Sequence, residues 1–136
     1  MGSRQKRGRE SERALALWMR RWFPWCEPVG ASSPGADLTG TPGVTFEIKS
    51  HATFRPLEWM RQARRNAGKQ LPVVVFRANG QGVESIPDWF AIVPLGEFMP
   101  LLADAGYAAD SATEMSEEQA VAEALARVLR GAQEGI

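Results

Sequence analysis

Asp37-Leu-Thr-Gly-Thr-Pro-Gly-Val-Thr-Phe-Glu47-Ile-Lys49 is the stretch from which the organisation of the chain can be read. Its middle, Gly40-Thr41-Pro42-Gly43, is strong turn chemistry, and the flanking residues predict a hairpin of strands 37–39 and 44–50. Side chains two apart on a strand share a face. Glu47 and Lys49 therefore project together, while Phe46 and Ile48 enter the core. The hairpin would bring Asp37 beside that pair.

Working outward, residues 8–23 predict a first helix with Leu15, Trp18 and Trp22 at helical spacing and Pro24 ending it. Residues 25–36 are turn-rich, with room for one brief strand over 25–29. A second helix starts near Pro56, which suits a first turn, and stops near Gly68. Leu57, Met60 and Arg64 would share one face of it, and Glu58, Gln62 and Arg65 another. Residues 71–77 (LPVVVFR) form an apolar run of strand length, as in a strand buried on both sides. Asn79-Gly80-Gln81-Gly82 is a turn with no lysine or helix start after it, so it is not a phosphate loop. A short strand over 89–93 and a helix over 97–105 follow. After a polar break at 106–115, Ser116 and Gln119 form a capping box for a last helix to about Arg130, with Val121, Leu125, Val128 and Leu129 as its apolar stripe. This order predicts an α/β sandwich with a mixed sheet.

The chain has 136 residues, enough for one core and too few for two. It is read as a single domain, 1–136, with a core at about 6–105 and a helical extension at about 106–136. No apolar run approaches the roughly 20 residues needed to span a bilayer. The opening MGSRQKRGRE is charged with no apolar segment behind it, so no secretory signal is expected. Cys26 is the sole cysteine, which excludes an internal disulfide and a thiolate-cluster zinc site. A reducing, cytoplasmic setting is the expectation.

The net charge of zero hides a segregated pattern. Residues 1–27 carry seven Lys/Arg against three acids, and 49–77 carry seven against one; residues 78–136 carry two against ten. A basic face of this kind suits a phosphate backbone, with the acidic end turned away; ordinary solvated helices give the same pattern. Arg4, Lys6, Arg7 and Arg9, with Arg55, Arg61, Arg64, Arg65 and Lys69, are the candidate phosphate contacts.

Two carboxylates converging at a strand edge make a hard oxygen site suited to Mg²⁺, which binds through one or two carboxylates and keeps several waters. A lysine beside them can hold a water that attacks a phosphodiester and offset the charge that develops. Taken alone, the same residues also fit an exposed strand edge with a surface ion pair. His51, two residues past Lys49, is a further candidate, although a lone histidine is more often a surface or packing residue.

The Asp37…Glu47-Ile-Lys49 pattern resembles the PD-(D/E)XK nuclease superfamily, and within it the Holliday-junction resolvases of archaeal type and their small phage relatives. Lys6-Arg7-Gly8-Arg9-Glu10-Ser11-Glu12-Arg13 is similar to the opening of those resolvases and maps their helix-one glutamate onto Glu12, with Glu10 as competitor. Ala31-Ser32-Ser33 resembles the serine-bearing loop before the aspartate, and Gln62 in Trp59-Met60-Arg61-Gln62-Ala63 matches a glutamine on the following helix. The strand at 73–77 ends in a basic residue, Arg77, as theirs does. The 35–43 and 54–63 stretches most resemble the actinobacteriophage branch. Ala36 stands where the family has a proline. The resemblance covers about residues 6–105.

The resemblance implies a restriction-endonuclease-like core, a central mixed β-sheet flanked by helices, with the C-terminal helix added. It implies catalytic residues Glu12, Asp37, Glu47, Lys49 and Gln62. Asp37, Glu47 and Glu12 would hold Mg²⁺, with Mn²⁺ able to substitute and Glu12 joining directly or through water. DNA contacts would come from Arg7, Arg9, Ser32, Ser33, Arg55, Arg61, Arg65, Lys69 and Arg77. The expected activity is endonucleolytic cleavage of branched DNA by a homodimer, in recombination and repair. The alternatives are a flap- or end-processing nuclease with the same site and a non-catalytic DNA-binding or assembly subunit.

Overall fold

The computed structural model describes residues 3–30, 35–109 and 114–135. The chain forms two compact units, Met1–Pro94 and Leu95–Ile136. The first is built on a three-stranded mixed sheet of β3 (Val44–Lys49), β4 (Leu71–Phe76) and β5 (Phe90–Ile92), in the order β3-β4-β5. β3 and β4 run parallel, from Val44 opposite Leu71 to Lys49 opposite Phe76, and β5 returns antiparallel with Phe90 opposite Phe76.

A helix covers each face of that sheet. Helix α1 (Ser3–Met19) buries Leu15, Ala16 and Met19 against Phe46, Ile48, Val73, Val75 and Trp89. Helix α2 (Pro56–Ala67) buries Trp59 and Ala63 against Val74, with Phe76 and Ile92 alongside. The alternation of Val73 and Val75 with Val74 between the two cores is the strand period at work. It makes β4 the strand buried on both sides that its apolar run implied.

The expected hairpin is not the one that forms. β2 (Leu38–Thr39) pairs antiparallel with β1 (Glu27–Pro28), and β3 spends its ladder on β4. Asp37 nonetheless lies along the outer edge of β3: its N–H donates to Phe46 O (3.1 Å), and its Oδ2 accepts from Ile48 N–H (2.7 Å). One residue supplies, with main chain and side chain, the two bonds that a neighbouring strand would have made. The turn between is held by Thr41, whose O accepts from Val44 N–H and whose Oγ1 donates to Val44 O (2.9 Å). Gly40 enters it with φ +80°, and a Cβ there would sit 2.1 Å from Trp25 O.

Two helix expectations also shift. α1 begins at Ser3 and ends at Met19, well before Pro24. Its opening lacks apolar periodicity, but Arg, Gln and Lys are good helix formers, and Arg7 is tied to Ala78 O (2.9 Å). At the other end Met19 O accepts from both Trp22 and Phe23 N–H, closing the helix and turning the chain toward buried Cys26. In α2 the inward residues are Trp59, Ala63 and Ala67, four apart, whereas Leu57 is exposed. The bulkier indole takes the core position.

The second unit contains α3 (Leu95–Asp104) and α4 (Glu117–Glu134). The capping box forms as expected, with Ser116 Oγ accepting from Gln119 N–H and Gln119 Oε1 from Ser116 N–H. Among the described residues no helix is long and apolar enough to cross a membrane.

Candidate active site

Strand parity sends Thr45, Glu47 and Lys49 toward α2, opposite Phe46 and Ile48. Each of the three meets a polar partner on or just beyond that helix. Thr45 Oγ1 donates to Gln70 Oε1 (2.6 Å), Asn66 Nδ2 donates a short hydrogen bond to Glu47 Oε1, and Lys49 Nζ donates to Gln62 Oε1 (2.8 Å). Gln62 and Asn66 are one turn apart on α2, so they form a polar stripe laid along the strand.

Glu47 is 1% exposed, and its carboxyl lies within hydrogen-bonding reach of Asp37. Burial, reinforced by the negative charge of Asp37 and opposed by Asn66 and Lys49, pushes the Glu47 carboxyl up to about 7. Asp37 is also raised, first by burial, with the Ile48 N–H and Lys49 pulling the other way. Glu12, on α1, is raised by burial and then by the charge of Asp37, with Arg9 opposing. Asp37 thus acts on both Glu47 and Glu12, while Lys49 acts on the Asp37–Glu47 pair.

Among the described residues no group of three or more His, Cys, Asp or Glu side chains is set to hold an ion. Asp37 and Glu47 are the carboxyls within hydrogen-bonding reach of one another, and Glu12 feels Asp37 from α1. That pair fits a small hard cation. Its oxygens are buried, adjacent, and costly to ionise together, and a divalent ion between them would offset that cost. Magnesium is commonly held by one or two carboxylates plus water.

The structure separates Glu10 from Glu12. The Glu10 carboxylate accepts from Arg77 (3.1 Å), and the same guanidinium bonds Ser11 Oγ (2.9 Å) and Gln81 O (2.7 Å) beneath the Trp89 ring. Ser11 Oγ also bonds Ser50 Oγ (2.8 Å), which ties α1 to the end of β3. Arg77 is thus buried and committed rather than offered to a phosphate as the sequence suggested, while Arg7 is half-buried with one N–H on Ala78 O. Charged residues read as surface when their partners lie more than sixty positions away. Arg9, Arg55, Arg61, Arg65 and Lys69 are exposed, and the last four follow one another along α2 and its ends. Ser32 and Ser33 lie outside the described residues.

His51 packs on Trp59 with 5.5 Å between ring centres. Both line a recess of about 320 Å³ with Lys49, Thr53, Arg55, Glu58 and Gln62. Sequence reasoning missed Asn66, Ser11 and Ser50. Asn66 had a usable signal, its position four residues after Gln62.

No family model matches the chain, no curated protein matches it, and no solved structure matches it.

Proposed function

We propose that the chain is a magnesium-dependent DNA endonuclease of the PD-(D/E)XK type, cutting branched DNA and in particular four-way junctions as a homodimer. The observation that carries this reading is the convergence on one face of a buried carboxyl pair, Asp37 and Glu47, and a lysine, Lys49, held by Gln62 at 2.8 Å. A structural ion pair at a strand edge needs neither two carboxyls in mutual contact nor a glutamine to aim the lysine.

Bound by Asp37 and Glu47, Mg²⁺ or Mn²⁺ would polarise the scissile phosphate and acidify a bound water. Asp37 keeps its orientation through the Ile48 N–H, and Glu47 through Asn66. Lys49 presents a point charge to the attacking water and to the extra negative charge of the pentavalent transition state. Gln62 limits the swing of that ammonium. Glu12 adds negative charge from α1 and acts through water. The products are a 5′-phosphate and a 3′-hydroxyl, with no covalent intermediate, and the exposed Arg61, Arg65 and Lys69 meet the backbone beside the cut.

The deciding experiment is incubation of a synthetic four-way junction, a flap, single strands and matched duplex with the protein, with and without Mg²⁺. Metal-dependent, paired cuts in the junction are expected. Cleavage confined to flaps or ends would replace the resolvase reading, and tight DNA binding without cleavage would point to a non-catalytic subunit.

A further inference from the structure

Between Thr53 and Arg55, two residues that line the recess at Lys49, stands a ring that phosphodiester chemistry alone does not use. Phe54, in the connection between β3 and α2, is 55% exposed. Its ring is braced from below by Phe76 (5.0 Å between centres) and Trp59 (5.7 Å, edge-on), and these two touch each other at 5.3 Å. One face is therefore fixed by packing while the other is offered to solvent. Trp59, which the ring touches, lines that recess together with Lys49 and Gln62, which belong also to the reaction site, and with Arg55, the residue that follows Phe54 in the chain. Arg55 is paired to Glu58 at 3.5 Å, but both side chains are about two-thirds exposed, a weak surface pair that a phosphate can displace.

We propose that Phe54 and this recess form a nucleotide subsite, in which the Phe54 ring stacks on an unpaired base while Arg55 meets that nucleotide's phosphate next to the bond cut at Lys49. The inference rests on the endonuclease reading and adds its substrate class, DNA with an unstacked base at the cut. A pre-braced ring beside cations suits a base, because every base has a π-face and a charged backbone. The ring is already packed on Phe76 and Trp59, so little side-chain freedom would be lost on binding. A paired base within continuous duplex cannot present its face to it.

The test measures binding in EDTA, so that cleavage plays no part. The probes are a duplex with a short single-stranded gap holding one 2-aminopurine, and the matched gap-free duplex. Wild-type protein should prefer the gapped probe and quench its fluorescence. Phe54→Ala should lower the gapped-to-duplex affinity ratio about tenfold, within the range expected for losing one base–aromatic stack, and abolish the quench. Phe54→Leu, which keeps apolar packing on Trp59 and Phe76, should do the same, and Phe54→Trp should retain both signals. A wild-type ratio and quench in the Ala and Leu variants overturns the subsite, as does an equal loss on both probes. If the ratio behaves as stated but no substrate is cut with Mg²⁺, the subsite stands and the nuclease reading falls. If junctions are cut and the ratio is indifferent to Phe54, the reverse holds.

Discussion

Exchanging Glu47 for Gln isolates the cost of keeping two carboxyls together. The folded-state pKa of Glu47, about 7, lies above its ordinary 4.5, so between these values the folded protein holds a proton that the unfolded chain releases. The folded state then binds more protons, and stability falls as pH rises through that window; the raised Asp37 acts in the same direction. In EDTA the melting temperature of the wild type should therefore drop more between pH 5 and pH 8 than that of Glu47→Gln, and Mg²⁺ should restore more at pH 8 than at pH 5. A wild type with the flatter profile would contradict the carboxyl pair. Lys49→Ala should reduce turnover by about 100-fold or more, as loss of a charge aimed at the transition state does. Gln62→Ala, which only frees the lysine, should cost about tenfold. Single-turnover rates at saturating DNA order the two, and a Gln62 variant slower than the Lys49 variant would reverse their roles. At Gly40 the issue is backbone alone. Alanine there meets Trp25 O at 2.1 Å in a left-handed conformation, and urea unfolding should register a loss of about 2 kcal/mol or more.

Helix α2 carries two jobs on separate sides, holding Glu47 and Lys49 with Asn66 and Gln62 while exposing Arg61, Arg65 and, just past its end, Lys69. Replacing Arg61 and Arg65 together should flatten the slope of log affinity against log salt by about one to two units. Titrations at several salt concentrations read this directly, and an unchanged slope would remove α2 from the DNA contact. Much of this element was visible beforehand. Pro56 and Gly68 marked its ends, and the two-residue period of Glu47 and Lys49 set their shared direction. The apolar run of β4 announced its double burial, because a strand covered on both faces has no polar side to show. The partner of β3 was not visible. Turn chemistry at 40–43 says where the chain reverses, not which edge it then joins, and the parallel pairing through α2 is a non-local outcome. Arg77 misled for a related reason: the Glu10, Ser11 and Gln81 groups that receive it come from both ends of the first unit.

For the molecule as a whole, the proposed junction cleavage would need two related cuts and so two chains, which a closed two-fold pairing would provide. Exposed apolar surface is available for this at Trp22 and Trp25 and along Val121, Leu125, Val128 and Leu129. Sedimentation should show a dimer, and a supercoiled cruciform should be linearised by paired cuts rather than merely nicked. A strict monomer that only nicks would favour the flap- or end-processing activity. The arrangement also sets an order of assembly. Asp37, Glu47, Lys49, Gln62 and Asn66 fall within one short run of chain around the β3-α2-β4 crossover, so their contacts close small loops and belong among the early events of folding. Helix α1 is made before the rest of this unit, yet two of the groups that seat it, Ala78 O and the Arg77 guanidinium, lie some seventy residues downstream. Until β3 and then β4 have been made, the helix exposes Leu15, Ala16 and Met19 without the Phe46, Ile48, Val73 and Val75 side chains that cover them. The carboxyl pair and its lysine are thus expected to gather before Glu12 arrives, and in that order Asp37 meets the charge of Glu12 only once the two ends of the unit come together.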